Sequence, residues 1–330
     1  MATTCSIIIP VYNHLELTRR CIETLLQQEL PLDSEIVVVD DASDPPAVSA
    51  LGDLVSRLRI IRRDCNGGFA VATNDGVAST ASPLAILLNN DTLPRPGWLG
   101  SLLDYADRHP RAGVVGSKLL FPDGTVQHAG VTICQDRYPR HIYAGFPADH
   151  PAVNKARRYQ AVSAACALVR RDAFEAAGGF DTEFQNGYED VDLCLRLADM
   201  GFEIHYCPNS VVQHLESATR GDRPPSLAHN DSLYRERWMQ RVAPDDVQFY
   251  MEDSLLGFGF GPGETYPARL KLSPLLAVLE EESADELARL LNIRSRQVFE
   301  LLKENIRLSA LLLDAGITDR STIPTKSTQE

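Results

Sequence analysis

Over the first 90 positions, short runs that are apolar at nearly every residue alternate with stretches whose apolar residues recur at helical spacing. Residues 6–10, 35–40, 58–62 and 84–88 are runs of the first kind, and their length and Ile/Val/Leu content predict strands. Residues 15–28 are of the second kind, with Leu15, Ile22, Leu25 and Leu26 as apolar positions, and predict a helix. Asn66-Gly67-Gly68 opens a further helix over residues 69–79. Strands apolar on both faces need cover on both faces. The pattern therefore predicts an α/β fold, a Rossmann-like and mostly parallel sheet flanked by helices.

Such sheets bind ligands at the carboxyl ends of their strands. Those ends here carry Pro10-Val11-Tyr12-Asn13, Asp40-Asp41-Ala42-Ser43 and Asn89-Asn90-Asp91. The second part of the chain is less regular. Residues 112–120, 166–169 and 203–207 predict strands, 172–177 and 191–200 helices, and Phe121-Pro-Asp-Gly-Thr125 a turn. Gly201 is placed to end the 191–200 helix. Residues 135–160, rich in Tyr, Pro, His and Arg without a period, predict a functional loop or lid. From about residue 268 leucines return at mostly helical spacing behind the capping-box pattern Ser283-Ala-Asp-Glu286. The expected organisation is a main domain over 1–250, with halves of about 1–120 and 121–250. A linker follows over 251–267, then a C-terminal helical extension over 268–330 ending in a frayed tail. The extension is expected to pack on the body, or to mediate self-association or contact with a partner protein.

Composition narrows the partners. The 330-residue chain carries 32 basic and 45 acidic side chains, a net charge of −13. Residues 1–120, 121–220 and 221–330 contribute −4, −4 and −5, so no acidic tail explains it and no basic face is left for a nucleic-acid backbone. The seven cysteines form no C-x-x-C pair and fit neither a zinc site nor a disulfide framework, which points to free thiols in a reducing cytoplasm. The N-terminus has no basic region before its apolar run, and no apolar stretch approaches about 20 residues. The expected location is cytoplasmic, or peripheral at the inner face of a membrane.

Three acidic clusters and one histidine are the candidates for chemistry. Asp40-Asp41 reads either as a solvated turn or as acceptors for a base or ribose. Asn89-Asn90-Asp91 reads either as an Asx turn or as oxygen ligands for Mg2+ or Mn2+. In Gly187-Tyr188-Glu189-Asp190-Val191-Asp192 three carboxylates sit at a helix start, where the dipole favours the ionised form of a base and where acidic residues also serve as ordinary caps. His214, after Val211-Val212, reads by itself as a structural residue.

The order of these clusters carries more than any one of them. Ser-Ile-Ile-Ile-Pro-Val-Tyr-Asn, Val-Val-Asp-Asp-Ala-Ser, Asn-Gly-Gly-Phe, Leu-Asn-Asn-Asp, Gly-Gly-Phe-Asp and Tyr-Glu-Asp-Val-Asp-Leu-Cys-Leu-Arg follow one another over about residues 4–250. Together they resemble the family 2 inverting glycosyltransferases of the GT-A fold. Asp123-Gly-Thr-Val-Gln-His128-Ala-Gly and His214-Leu-Glu216-Ser217-Ala-Thr-Arg220-Gly221 resemble the bacterial branch that builds O-antigens and related surface polysaccharides, rhamnosyltransferases included.

The resemblance implies a metal-assisted transfer, with inversion, from a UDP- or dTDP-linked sugar to a glycan or polyprenyl-linked glycan. It places Pro10, Tyr12, Asn13, Asp40, Asp41, Asn66, Gly67, Asn74, Asn89, Asn90 and Arg220 around the nucleotide sugar. It makes Asp91 and His214 ligands of Mn2+ or Mg2+ and Asp190 the catalytic base, with Tyr188, Glu189 and Asp192 as acceptor-binding or orienting neighbours. Asn89 stands where the family's D-x-D motif has its first acid. On this reading Asp40, Asp41, Asp91, Glu189, Asp190 and Asp192 converge on one cleft. The alternatives are a non-catalytic nucleotide-sugar-binding or assembly subunit, and a nucleotidyltransferase, which usually carries a basic Gly-rich loop where this chain has Tyr12-Asn13-His14. Arg137, Arg140, Lys155, Arg157 and Arg158 form a locally basic stretch, a candidate contact for an anionic lipid-linked acceptor or a membrane surface.

Overall fold

The computed structural model describes residues 5–31, 33–215, 226–259, 269–273 and 275–276. Arg220 and the leucine-rich extension beyond residue 276 lie outside them. Of the motif that begins at His214, only His214 and Leu215 lie inside.

The first part of the chain forms β1 (Cys5–Val11), α1 (Leu15–Leu26), β2 (Ser34–Asp40), α2 (Ala47–Leu51), β3 (Arg59–Arg62), α3 (Phe69–Ala78) and β4 (Leu84–Leu88). Next come β5 (Thr92–Pro94), α4 (Trp98–Arg108), β6 (Ala112–Leu120), β7 (Val126–His128), β8 (Val131–Ile133), β9 (Pro139–His141), β10 (Arg157–Arg158), β11 (Cys166–Arg170) and α5 (Arg171–Ala176). The remainder is α6 (Glu189–Asp199), β12 (Glu203–His214), α7 (Ser226–Arg237), α8 (Asp246–Glu252), β13 (Leu256–Gly259) and β14 (Arg269–Leu272).

The main sheet runs β10-β12-β6-β11-β4-β1-β2-β3, with β5 on β12 and β7 on β6. Strands β3, β2, β1 and β4 pair in parallel, as do β6 and β12. The interruption is β11, antiparallel to both β4 and β6. Its reversed direction sets Cys166 opposite Leu88, so the start of β11 lies at the carboxyl end of β4. That reversal positions much of the site.

Side chains alternate between two cores, as a strand's two-residue period requires. Ile8, Val37, Val39, Ala85 and Leu87 enter one core with Ala70, Ala72 and Val77 of α3 and with Val191, Leu193, Leu195 and Leu197 of α6. Ile7, Ile9, Ile36, Val38, Ile86 and Leu88 enter the other with Cys21, Ile22 and Leu25 of α1 and with Trp98, Leu99 and Leu102 of α4. Double-sided cover is why these strands read as apolar throughout. Helix α3 lies very close on the sheet at Gly76. A Cβ there would stand 2.4 Å from Ile8 Cγ2 and 2.9 Å from Val39 Cγ2. Helix α4 has no counterpart among the elements read from periodicity, because Pro94, Pro96 and Gly97 ahead of it read as loop.

Residues 135–160 are not a lid. Ile142, Tyr143, Phe146, Ala152, Val153 and Tyr159 are buried in the core on the α3 face of the sheet, and β9 pairs with β8. The segment lacks a period because its rings pack from loops. Its cations are also taken. Arg140 makes a bidentate pair with Asp136 at 2.6 and 2.7 Å, Arg137 donates to the Met239 carbonyl, and Arg158 pairs with Glu203 at 3.0 Å. Lys155 (2.6 Å) and Arg157 both bind Asp253, which also accepts from the Tyr143 hydroxyl. This stretch is therefore not a set of unpaired cations awaiting an anionic acceptor.

The same Asp253 fastens the start of the expected linker to the body, and β13 goes on to pair with β14. Its carboxylate side chain is 1% exposed and that of Arg157 9%. Burial alone would raise the Asp253 pKa, but hydrogen bonds from Lys155, Tyr143 and Arg157 hold it below the ordinary value. Asp253→Ala leaves the Arg157 charge buried without its main partner, and we expect a loss of about 3–5 kcal/mol in urea unfolding. A loss under about 1 kcal/mol, the range of a surface pair, would contradict this account.

Candidate active site at the strand carboxyl ends

Three groups of residues meet at the carboxyl ends of β1, β2 and β4. The first surrounds Asp40 and Asp41. Both are buried and fully used as acceptors. Asp40 takes the backbone N–H groups of Ser43 and Ala47, each at 2.9 Å, and Arg62 Nη1 at 2.5 Å. Burial pushes its pKa up, but the Ala47, Ser43 and Arg62 hydrogen bonds outweigh burial and leave it lowered. Asp41 takes the N–H groups of Gly67 (3.0 Å) and Gly68 (2.8 Å) and an ion pair from Arg63. The two acids thus shape the loops that follow β2 and β3.

Asn13 joins this group at φ 56°, a left-handed conformation that Asn tolerates. Its N–H donates to Ser43 Oγ at 2.9 Å and its Oδ1 accepts from Asp44 N at 2.9 Å. Pro10 is buried inside β1, while the Tyr12 ring just beyond is 49% exposed. Asn66 is exposed beside Gly67, its Oδ1 accepting from Gly68 N. Arg62 and Arg63 were not among the residues singled out in the sequence. The signal was their place at the end of β3, where the parallel register sets Arg62 against Asp40.

The second group is Asn89, Asn90, Asp91 and His214. Strand β5 pairs with β12 so that Thr92 lies opposite His214, which brings residues 122 positions apart in sequence together. His214 Nε2 stands 3.0 Å from Asp91 Oδ1 and 3.5 Å from Asn89 Nδ2, and its Nδ1 lies 2.7 Å from Gln127 Oε1. Asn89 Oδ1 is buried and has no hydrogen-bond partner among the described residues. Asn90 turns away to donate to Thr18 Oγ1 of α1. Among the described residues no group of three or more His, Cys, Asp or Glu is placed to hold a metal ion. Asp91, His214 Nε2 and the orphaned Asn89 oxygen fit a smaller demand. They suit a hard cation that takes its other ligands from phosphates or water.

The third group is the start of α6. Tyr188 (φ 70°) caps it, and the first turn carries Glu189, Asp190 and Asp192. Glu189 is buried and accepts from Gly187 N at 2.5 Å. Asp190 accepts from Val191 N at 2.8 Å and from Ala164 N at 3.2 Å. Both acids have raised pKa values. Burial is the main cause for each, and for Glu189 the neighbouring Asp190 charge adds to it. The helix-start dipole argues for ready ionisation, but desolvation is larger and reverses that expectation.

Two expected neighbours belong elsewhere. Asp192 is buried and engaged by Arg196 Nε at 2.7 Å and Trp238 Nε1 at 2.9 Å, which ties α6 to α7. One helical turn is 3.6 residues, so Asp192 cannot share the face of Asp190 two positions earlier. Asn74 is consumed by Phe180, its Nδ2 donating to the Phe180 carbonyl and its Oδ1 accepting from Phe180 N, both at 2.8 Å. It staples α3 to the Gly178-Gly179-Phe180-Asp181 turn. Of the six acids expected to share one cleft, Asp91, Glu189 and Asp190 have no saturating partner set among the described residues.

One short segment connects the second and third groups. Ala164 N holds Asp190, and the next residue's carbonyl, Ala165 O, accepts from Asn89 N at 2.9 Å. The fold corresponds to the GT-A architecture. Residues 6–178, more than half of the chain, match glycosyl transferase family 2, and the chain belongs to that family. It is 35% identical to the O-antigen biosynthesis protein RfbC of Myxococcus xanthus over 65% of its own length, but spans only 17% of that protein. It is 29% identical to an N-acetylglucosaminyl-diphospho-decaprenol L-rhamnosyltransferase of Mycobacterium tuberculosis, over 60% of this chain and 73% of the relative. The fold matches the crystal structure of GalNAc-T7 with UDP, GalNAc and Mn2+ with a TM-score of 0.58 at 13% identity, covering 77% of this chain and 55% of that one.

The raised Glu189 pKa, about 7 against an ordinary 4.5, has a consequence for stability. Between these values the unfolded chain has released a proton that the native chain keeps, so stability falls as pH rises through the window. Glu189→Gln removes that decline. We expect it to gain about 1–3 kcal/mol on the wild type between about pH 4.5 and pH 7, measured by urea unfolding. Parallel stability profiles for the two proteins would rule out a strongly desolvated carboxyl.

Proposed function

We propose that this chain is a metal-assisted, inverting glycosyltransferase. It moves a sugar from a nucleoside-diphosphate donor, UDP- or dTDP-linked, to a hydroxyl of a glycan or polyprenyl-linked glycan in bacterial surface polysaccharide synthesis. The observation that carries the reading is the Ala164-Ala165 bridge. It sets the half-buried, raised-pKa Asp190 carboxylate one residue away from the Asn89-Asp91-His214 group. Family membership and the named activities of the relatives support the same class.

In this reading the loops after β1, β2 and β3 receive the nucleotide. Tyr12 offers an exposed ring to the base, and Asp40 and Asp41 act by holding the loop backbones rather than by touching the ligand. Asp91 and His214 hold Mn2+ or Mg2+, with Asn89 Oδ1 as a further oxygen. When bound, the cation supplies Lewis acidity that neutralises charge on the departing diphosphate. Asp190 takes the proton from the acceptor hydroxyl. Burial raises its pKa, which makes it a stronger base than a solvated carboxylate. A single base on the acceptor side gives in-line attack and inversion. Glu189, beside it, tunes that basicity by charge, and Tyr188 borders the acceptor side.

Asp190→Asn keeps the shape of the site and removes the base. We expect it to fold normally and to bind donor with wild-type affinity by calorimetry, while transfer falls about 10²–10⁴-fold. A panel of UDP- and dTDP-sugars with the wild-type protein identifies the donor for that assay. Near-wild-type turnover in Asp190→Asn would overturn the assignment of the base.

A further inference from the structure

The Val-Gln-His-Ala-Gly motif has no part in the reaction as proposed, yet the structure sets it at the centre of the site. Strand β7 is buried along its whole length, with Val126 and His128 at 0% exposure and Gln127 at 4%. Its backbone is held on both sides. It pairs with β6, and the Gln127 carbonyl accepts from His141 Nδ1 at 3.1 Å. His128 Nε2 accepts from Ser163 N, next to the Ala164 that holds Asp190. Gln127 is thus a fixed side chain on a fixed strand, and its Oε1 is 2.7 Å from His214 Nδ1.

An amide oxygen only accepts, so His214 Nδ1 must carry the proton of that hydrogen bond. In a neutral ring the other nitrogen, Nε2, then bears a lone pair. Its surroundings agree, since Asn89 Nδ2, a donor, lies 3.5 Å from it. Asp91 Oδ1, a pure acceptor, faces the same nitrogen at 3.0 Å. Two acceptors turned toward each other need a positive partner between them, either a second ring proton, which makes the 3.0 Å contact an ion pair, or a metal cation. Histidines that ligate metals do so with one nitrogen while the other donates to a fixed partner, which sets tautomer and ring orientation.

We propose that Gln127 is a positioning residue that locks His214 in its Nδ1–H tautomer and so presents the Nε2 lone pair beside Asp91 and Asn89. The consequence for metal binding rests on the reading of Asp91 and His214 as cation ligands. The tautomer itself does not. A neutral acceptor at this position fixes the ring without adding a negative charge next to Asp91. Gln127→Leu removes the acceptor at similar length and frees the ring to take the Nε2–H form, which hydrogen-bonds to Asp91 and closes the nitrogen to a metal.

The test uses the full chain, metal-free, with 15N-labelled histidine. Long-range 1H–15N correlation spectra report each ring's tautomer, and the resonance lost in His214→Gln assigns His214. We expect Nδ1–H in the wild type and in Gln127→Glu, and Nε2–H in Gln127→Leu. Titration with Mn2+ alone is expected to show about 10–100-fold weaker binding for Gln127→Leu, recovered in Gln127→Glu. If Gln127→Leu fails to fold, the wild-type and Gln127→Glu tautomers still decide the matter. A wild-type His214 in the Nε2–H form overturns the proposal. So does a Gln127→Leu ring that stays Nδ1–H, or unchanged Mn2+ affinity in that variant while His214→Gln loses it. Equal Mn2+ affinity in wild type and His214→Gln overturns the cation reading instead, whatever the tautomer spectra show.

Discussion

The reversed direction of β11 is the constraint on which the rest of the site depends. In a wholly parallel sheet the strand beside β4 would leave its amino end far from Asn89. Because β11 runs the other way, residues 163–165 arrive where β4 ends, and their backbone groups must find partners as they leave the ladder. They find them in Asn89 N, Asp190 Oδ2 and His128 Nε2. Three residues of connecting chain thereby fix the distance between the end of β4, the start of α6 and strand β7. A substitution that shifted this segment would disturb all three at once.

The elements built from local pattern were readable in advance. Strands β1, β2 and β4 and helix α1 announce themselves because double-sided burial makes strands uniformly apolar and single-sided burial makes helices periodic, and α3 is marked by the Asn66-Gly67-Gly68 turn before it. The antiparallel insertion of β11 was not readable, since the four-residue apolar run 166–169 carries no direction. Nor was the packing of residues 135–160. Tyr143, Phe146 and Tyr159 fill the core from loops, and a loop has no period to betray its burial.

The site divides in the same way. Residues at element ends stand out in the sequence because position and residue type coincide there, as at Tyr12 and Asp91 beyond strands and Asp190 at the start of α6. What sequence could not weigh was which acids were already in use. Asp40 and Asp41 look like site carboxylates until Arg62 and Arg63 arrive from β3, and Asp192 looks like a neighbour of Asp190 until Trp238 and Arg196 close on it. A carboxylate with its partners supplied by distant parts of the chain reads the same as one left free. Gln127 shows the converse. An uncharged residue in a short strand gives no chemical signal, and only the fold brings it to His214.

This sorting changes the meaning of the chain's net charge of −13. Six acids at a site for an anionic donor would repel it, and no plausible single cation would offset them. The structure removes three by pairing or hydrogen bonding and discourages ionisation of two more by burial, since Glu189 and Asp190 both have raised pKa values. Burial works against the pair carrying its full formal charge. Asp91 is left, next to a histidine whose protonated nitrogen is turned away from it. A site so depleted of charge tolerates a diphosphate with one divalent cation beside it. When Asp190 accepts a proton from an acceptor hydroxyl, the pair returns to a less charged state that burial favours. The desolvation that makes these acids expensive to ionise therefore drives the proton transfer in the direction the proposed reaction requires.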